Sequence, residues 1–464
     1  MNDYSRLGQA AIGTTTATDY QAIGMNPANL GFIPTEVIYK QSSPMEAGIS
    51  RRKRNWSVSV GEFGAAVHSN AMGSSDLLGA IFSFNEQQFS LQEKYEAARK
   101  FAGKSVYMNA DAIILGVSYQ SDAYGGFAFT IRDRVSGEFT FNSAAANLAF
   151  LGRNFNYFDS SYTLPWNGQI VGVSRQPQRF SQLFDSTRLS MSWTREFNLG
   201  YGRRVFNGQS NKLYLGITFR YILGYAYLDS YTDPNTKTLE GYSSITPLFN
   251  INYGKATSPS TVPGTGMIPV GHGLGADFGL TYHIGPKWRV GASLLDVGKM
   301  YWTGNVYRAQ DTILNGMSST GFNSYNIFLE AQKITGDGGY FKWEGMTSIE
   351  SSLPTRLRMG VSYSVGMLRD VGLDMIFPMT DGRTPNINTV LVSVGSNYQI
   401  VPWLYASGGM TFGGTMGYNI PLGVMFSIFD GFWEMGISTR DILTFLFEKN
   451  PTASLTAGVC RLRF

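Results

Sequence analysis

The sequence predicts an all-β chain that closes into a transmembrane antiparallel β-barrel of about 14 strands, with an N-terminal plug segment and a few short helices in its loops. Three observations support this: many segments alternate between apolar and polar residues, charged residues are scarce, and no run approaches the roughly 18 apolar residues of a membrane-spanning helix. Only 15% of the 464 residues are charged, while 43% are hydrophobic. A membrane protein without such helices must close its strands, because lipid offers no water to unpaired backbone groups.

The alternation is clearest over residues 213–227, where every odd position is apolar, from Leu213 to Tyr227. The even positions are mainly small or polar, as at Gly216 and Arg220. Similar patterns cover residues 273–283 and 357–365. Strands of soluble sandwiches average about 5 to 6 residues, so runs this long favour a barrel wall with one lipid-facing and one lumen-facing side.

Counting such segments gives fifteen candidate strands, which an antiparallel single-chain barrel rounds to an even number, and we predict fourteen. The candidates are residues 55–69, 105–119, 123–142, 185–206, 211–228, 238–253, 273–285, 287–303, 354–366, 369–378, 388–400, 402–412, 416–428, 431–439 and 453–464.

Three segments lack the alternation of a wall strand. Residues 1–35 form one predicted unit, a plug inside the barrel, and residues 36–464 form the barrel itself. A capping-box pattern at Ser90 and Glu93 predicts a short helix near residues 90–102. Residues 309–353 are rich in Gly, Ser and Asn and are interpreted as one long loop with a helical turn around residues 326–333.

Composition narrows the functions. Cys460 is the only cysteine and there are three histidines, so no motif for a cysteine-based metal site, a catalytic triad or a cofactor is found. The net charge is +4, and the basic residues are scattered and do not form the concentrated basic patch typical of nucleic-acid binding. We therefore expect no enzyme activity, no cofactor and no bound metal. The start of the chain shows no basic region followed by an apolar core, so an outer-membrane location implies a chain whose signal peptide has been removed.

The last strand carries a further indication. Phe464 and Leu462 share one face, and the chain stops on an aromatic residue. Bacterial outer-membrane barrels characteristically end this way, and we interpret residues 453–464 as the strand read during assembly.

Several motifs resemble one family of barrels. The cluster Asn26, Pro27, Ala28, Asn29, Leu30 and Gly31 resembles the N-terminal hatch of FadL-like barrels and of their PorV-like relatives in Bacteroidota. The G-x-D-x-G pattern at residues 275–279, the D-x-G pattern at residues 296–298 and the L-P-T pattern at residues 353–355 are similar to strand motifs of the same group. The resemblance implies a fourteen-stranded barrel with an N-terminal segment in its lumen. It leaves the activity open, because these are scaffold motifs.

Charged residues on the predicted inner faces should line the lumen: Arg220, Asp277, Arg356, Arg358 and Asp374. In the hairpin 354–378 we expect Ser364 opposite Asp370 and Gly360 opposite Asp374. Arg358 is then the diagonal neighbour of Asp374, within reach of a long side chain.

Two classes of function remain. The favoured one is a PorV-like accessory subunit that binds envelope proteins in secretion or surface attachment, because residues 143–184 and 309–353 offer long aromatic-rich loops. The alternative is a FadL-like channel for small hydrophobic molecules. Both place the chain in outer-membrane lipid of a Gram-negative bacterium, without nucleic acid as a partner. A charged lumen and a plug favour the first, because they leave little free bore.

Overall fold

The computed structural model describes residues 8, 10–33, 36–42, 46–82, 88–233, 235–325, 342–365, 368–380 and 389–464. Its strands are β1 (Glu36–Ser42), β2 (Glu46–Arg52), β3 (Trp56–Ser69), β4 (Lys104–Ser121), β5 (Gly125–Phe141), β6 (Ser160–Thr163), β7 (Ile170–Arg179), β8 (Arg188–Asn207), β9 (Asn211–Thr232), β10 (Leu239–Ile245), β11 (Gly271–Ile284), β12 (Trp288–Trp302), β13 (Val306–Gln310), β14 (Ile313–Met317), β15 (Lys342–Gly345), β16 (Ile349–Ser352), β17 (Arg356–Val365), β18 (Leu368–Pro378), β19 (Leu391–Val401), β20 (Leu404–Gly413), β21 (Leu422–Ile428), β22 (Trp433–Thr439) and β23 (Thr452–Arg463). The helices are α1 (Ser74–Phe82), α2 (Leu91–Phe101), α3 (Ser143–Leu151) and α4 (Phe180–Leu183), and 3-10 turns cover Asp19–Ala22, Pro27–Gly31, Gly152–Asn154, Pro247–Phe249 and Leu443–Phe445.

Within the described residues, fourteen antiparallel strands close into a barrel, which confirms the predicted fold and strand number. The wall strands are β3, β4, β5, β8, β9, β11, β12 and β17 to β23. The ring closes where β23 pairs with β3, from Thr452 opposite His68 to Arg463 opposite Ser57. We name the end with short connections, near Trp56 and Phe464, the turn end, and the opposite end the loop end.

One candidate strand is not part of the wall. Only Leu239–Ile245 of the predicted segment 238–253 is a strand, and it pairs with β9 and β13 at the loop end. The chain then enters a 3-10 turn at Pro247, a residue without the N–H that a continuing ladder needs. Rounding fifteen candidates to fourteen therefore gave the right number.

The wall is much taller on one side than on the other. β8 and β9 have 20 and 22 residues, whereas β21 and β22 have 7 each. At about 3.3 Å per residue and a tilt of about 45°, a strand as long as β9 rises about 50 Å, roughly twice the ~25 Å apolar band of a membrane barrel. The long strands therefore project beyond the membrane at the loop end.

The outward face is apolar, as expected for contact with lipid. Large apolar side chains are exposed along it, among them Phe63, Phe219, Leu274, Met410 and Ile437. Aromatic residues gather at the turn end, as in the interfacial girdle of membrane barrels. These are Trp56, Phe127, Phe206, Trp288, Trp403, Phe432 and Phe464.

A cap of helices and loops covers the loop end. α2 begins at the predicted capping box, with Ser90 and Glu93 hydrogen-bonded to each other, so that helix is confirmed. The cap packs around buried Phe101, Phe150 and Phe322. The prediction of one long loop over 309–353 was wrong in part, since β14, β15 and β16 lie in this segment. The helical turn predicted at 326–333 lies outside the described residues.

A bulge changes which residues of β9 face the lumen. In the pairing with β8, Trp193 faces Ala226 and Thr194 faces Gly224, so Tyr225 is an extra residue. The alternation that begins at Leu213 therefore shifts, and Tyr227 points into the lumen instead of toward lipid. A second irregularity lies in the pairing of β23 with β22, where Glu434 faces Arg461 and Gly436 faces Gly458, so Gly458 is buried and does not share the outward face of Leu462 and Phe464.

Candidate functional site

Residues 10–33, here called the lumenal segment, lie inside the barrel, where they are almost all buried. Asn26 holds the segment's fold because its side-chain oxygen accepts from the Ala28 N–H at 3.1 Å. Its amide group donates to the Thr14 carbonyl at 2.8 Å and to the Thr281 hydroxyl at 2.9 Å. Asn29 accepts from the same Thr281 hydroxyl at 2.6 Å. Both asparagines of the hatch-like motif thus join the segment to β11.

The remaining motif residues fit against the wall. Pro27 starts the 3-10 turn Pro27–Gly31, and Ala28 is fully buried with Phe32 and Tyr214. Leu30 packs with Tyr20, Ile23 and Ala128, while a Cβ on Gly31 would lie 2.9 Å from the Arg203 nitrogen. Gln120 of β4 donates to the carbonyls of Asn29, Leu30 and Phe32.

Wall glycines make room for this segment. Each occupies an inward position at which a Cβ would overlap or press against an atom of residues 8–31. We call this set the glycine belt, and it spans ten wall strands: Gly116, Gly126, Gly200, Gly202, Gly216, Gly279, Gly291, Gly360, Gly372, Gly409 and Gly423. The belt explains part of the high glycine content, and it was not recognised from the sequence because strand glycines have many uses.

Asp374 and Arg358 anchor the start of the segment. Gly360 lies opposite Asp374, as predicted, and Arg358 contacts the Asp374 carboxylate at 2.7 Å. The same carboxylate accepts from the backbone N–H groups of Gly13 and Thr14 at 3.0 Å each. The expected pairing of Ser364 with Asp370 falls at a register shift, and a hydrogen bond of 2.8 Å joins their side chains.

The segment also contacts the strands that close the barrel. Asp19 pairs with Arg461 of β23 and accepts from Ser57 of β3 at 3.2 Å. The Tyr20 hydroxyl donates to Glu62 of β3. Arg461 and Arg463 both contact Glu434 of β22. A polar cluster therefore lies on the inner side of the seam between the first and last wall strands.

A charge network crosses the lumen beside the segment. Asp296 is its centre and contacts Arg220, Arg134 at 3.4 Å and Arg356 at 2.8 Å. Arg220 also contacts Asp277 at 2.7 Å, and the Asp277 carboxylate accepts from the Asp296 N–H at 2.8 Å. Because Arg134 belongs to β5 and Asp296 to β12, four strands further along the wall, these pairs join strands that are not neighbours.

Asp296 has a left-handed backbone, with φ of +56°, at the place where the β11–β12 register shifts. The bulge turns its carboxylate into the lumen, among the arginines. The sequence had placed Arg220, Asp277, Arg356, Arg358 and Asp374 in the lumen, and the structure buries or nearly buries all five there. Sequence reasoning missed Asp296 and Arg134. The signal for Asp296 was its D-x-G motif, which was interpreted only as scaffold.

Between the charge network and the cap lies a cavity of about 210 Å³, here called the deep cavity. Its lining is mixed. Met108, Tyr227, Met300, Trp302, Leu353 and Ile376 give an apolar part, while Arg134, Glu196 and Arg356 lie on the network side and Ala10 and Ala11 belong to the lumenal segment. Nη2 of Arg134 and Nε of Arg356 are buried without a hydrogen-bond partner among the described residues.

The C-terminal residues complete the closing strand. Leu462 lies opposite Val58 and Trp433. Phe464 exchanges backbone hydrogen bonds with Trp56 at 2.9 and 3.1 Å, and its ring is exposed at the turn end.

The histidines lie apart from one another. His68 contacts Thr452, His272 stacks near Tyr301, and His283 packs against Phe32 and Tyr214. Within the described residues, no group of three His, Cys, Asp or Glu side chains could hold a metal ion. No helix among those same residues is long and apolar enough to cross a membrane.

These features define a class of protein: a closed antiparallel β-barrel with an apolar outward face, against whose inner side almost all of residues 10–33 are buried. A family model described as a family of unknown function, DUF5723, matches residues 49–433, and the chain belongs to this family. Among curated proteins, none matches the sequence.

Solved structures with a similar outline share little sequence. The Ralstonia pickettii toluene transporter TbuX is 13% identical, with a TM-score of 0.45 over 100% of this chain and 98% of that one. The Pseudomonas putida toluene transporter TodX is 12% identical, with a TM-score of 0.45 over 99% and 97%. A Pseudomonas aeruginosa FadL homologue is 10% identical, with a TM-score of 0.41 over 99% and 97%. At such low identities, the ligand of one protein cannot be inferred from that of another.

Proposed function

We propose that this barrel is a non-enzymatic channel that takes up small hydrophobic molecules through the outer membrane. The deep cavity is the observation that carries the proposal, because it lies inside the barrel between the cap and the lumenal segment. An engineered apolar cavity of about 150 Å³ holds a benzene molecule. At about 210 Å³, the deep cavity is large enough for a solute of that kind.

The surroundings of the cavity favour a single uncharged molecule over a stream of hydrated ions. Residues 10–33 act in this proposal as a plug, since they fill the lumen on the turn side of the network. At the level of the Asp296 network, buried ion pairs occupy part of the lumen. A molecule that can shed its water is therefore the solute suited to the cavity.

The structure removes most of the support for the hypothesis of an accessory subunit. That hypothesis depended on exposed aromatic side chains in residues 143–184 and 309–353. Phe150, Phe180, Phe184 and Phe322 are instead buried in the cap. Tyr162 and Trp166 remain 53% and 76% exposed in one hairpin, which is a small surface for a stable partner.

The test compares uptake of a hydrophobic tracer into vesicles with a lipopolysaccharide outer leaflet, with and without the protein. Ser136→Trp places a large ring on the inward face of β5 in the cavity wall and should abolish the gain in uptake. Ala457→Trp, on the lipid side opposite Phe63, is the matched control and should retain it. Uptake no faster than in protein-free vesicles, together with stoichiometric co-purification of envelope proteins, would restore the accessory reading.

A further inference from the structure

A second cavity, here called the outer cavity, adjoins the deep cavity at its loop-end side. Its volume is about 230 Å³. Tyr227, Ser351 and Ser352 line both cavities, so the two meet at these residues. A solute that moves from the outer cavity into the deep cavity therefore passes Tyr227.

Tyr227 has an unused hydroxyl at this junction. The bulge at Tyr225 turns its ring into the lumen, where the residue is 3% exposed. The ring stacks on Trp302 with centroids 5.0 Å apart and an interplanar angle of 19°. Among the described residues its hydroxyl makes no hydrogen bond, and Tyr227 lines both cavities, so a solute there can engage it.

Two neighbouring polar side chains, Trp302 and Tyr242, already have partners. The Trp302 indole N–H donates to the Ser351 hydroxyl at 2.9 Å. The Tyr242 hydroxyl donates to the Glu240 carboxylate at 2.6 Å. Tyr227 is thus an aromatic hydroxyl at the junction that a solute can engage without breaking an existing bond.

The charges around the outer cavity select against anions. Asp229, Glu240 and Glu350 line it, and among the described residues its lining includes no Lys or Arg. The cations nearby lie outside the lining: Arg188 is 3.6 Å from Asp229, Lys299 is 3.3 Å from Glu350, and Arg308 pairs across the strands with Tyr242. An incoming carboxylate would meet like charges, which repel it. A neutral solute meets no such cost.

We infer that the channel selects neutral hydroxyl-bearing aromatic solutes, and that Tyr227 recognises them by a hydrogen bond where the two cavities meet. The inference rests on the proposed channel function. The flat faces of Tyr227 and Trp302 suit an aromatic ring, and the volume of the deep cavity suits a single one. The Tyr227 hydroxyl can both donate to and accept from a phenolic group.

Isothermal titration of the detergent-solubilised full chain tests this with p-cresol, toluene and p-toluate, against a detergent blank. One net hydrogen bond predicts that p-cresol binds about five- to tenfold more tightly than toluene. Tyr227→Phe should remove that preference while toluene binding stays. Tyr214→Phe, an equally buried tyrosine on β9 that lines neither cavity, should keep it.

Each other result has a definite meaning. Equal affinities for p-cresol and toluene in the wild type, or a preference that survives in Tyr227→Phe, would overturn the role of Tyr227 and leave the channel proposal standing. Tighter binding of p-toluate than of p-cresol would overturn the neutral class and assign the site to Arg134 and Arg356. Binding of none of the three would contradict the channel proposal itself. A retained gel shift between unboiled and boiled samples shows that each variant is folded.

Discussion

At the scale of single residues, Asp374 makes several buried contacts that the sequence patterns did not predict. Its carboxylate accepts from Arg358 and from two backbone N–H groups of the lumenal segment. Asp374→Ala removes the counter-charge of the buried Arg358 guanidinium and the acceptor of two N–H groups, and we expect a loss of about 3 to 5 kcal/mol of stability. The temperature at which the unboiled form converts to the slower band on a denaturing gel should fall clearly.

Asp122→Ala is the matched control for that change. Its partner Lys53 lies at 2.6 Å, yet both side chains are about half exposed. Exposed pairs contribute under about 1 kcal/mol, so the conversion temperature should hardly move. A similar shift in both variants would mean that Asp374 is not an anchor.

Single residues also mark where sequence reasoning reached its limit. Alternation predicts wall strands because the pleat sends successive side chains to opposite faces. Alternation does not predict a bulge, because the extra residue, here Tyr225, has the same apolar character as its neighbours in the strand. The register of Arg358 and Asp374 was predictable because the hairpin turn is short. Tyr227 and Asp296 were not, because each depends on a bulge.

At the scale of elements, the start of α2 should respond to pH. The Ser90 backbone N–H and hydroxyl donate to Glu93, and they hold the pKa of that carboxyl below its usual range. The stabilisation is therefore present above the usual carboxyl pKa and is lost as pH falls through the lowered value. Hydrogen exchange of the first-turn amides, corrected for intrinsic rates, should show faster opening in acid.

Two variants separate the parts of this capping box. Glu93→Gln should remove the pH dependence, whereas Ser90→Ala should weaken the helix start at every pH, by about 1 kcal/mol. If the wild type and Glu93→Gln open equally at all pH values, the carboxylate has no role in the cap.

The lumenal segment as an element depends on the glycine belt. A Cβ at Gly216 would overlap the backbone of Pro27 and Ala28, which cannot move aside as a flexible side chain would. Gly216→Val should therefore expel part of residues 10–33 and make it susceptible to protease in the folded barrel. Gly79→Ala in α1, with nothing within 4 Å, should leave the segment protected. Protection in both variants would show that the belt is not needed.

At the scale of the whole molecule, the barrel should be closed to ions. The lumenal segment and the Asp296 network fill successive levels of the lumen, and barrels need about 16 strands for a clear aqueous channel. In planar bilayers the protein should give no steady ionic current, while unboiled samples should migrate faster on gels. A stable current like that of a general porin would contradict this arrangement.

The whole fold was predictable to a large extent because period-2 alternation recurs along the chain and closure follows from the membrane. The wall strands begin and end within a few residues of the predicted positions, as for β3 and β12. The cap was not predictable, because its helices and β14 depend on contacts between distant loops. For the same reason the sequence did not predict that several aromatic residues of the cap are buried.

The position of the lumenal segment also constrains how the molecule is built. Its residues press against glycines of strands from β4 to β21, and Asp19 is tied to β23 beside β3. A strip held on so many sides cannot be threaded into a finished cylinder. We therefore expect the sheet to curl around the lumenal segment before its first and last strands meet, so that this segment acts as a template during biogenesis. Asp19 and Arg461, at opposite ends of the chain, would then join only when the sheet closes.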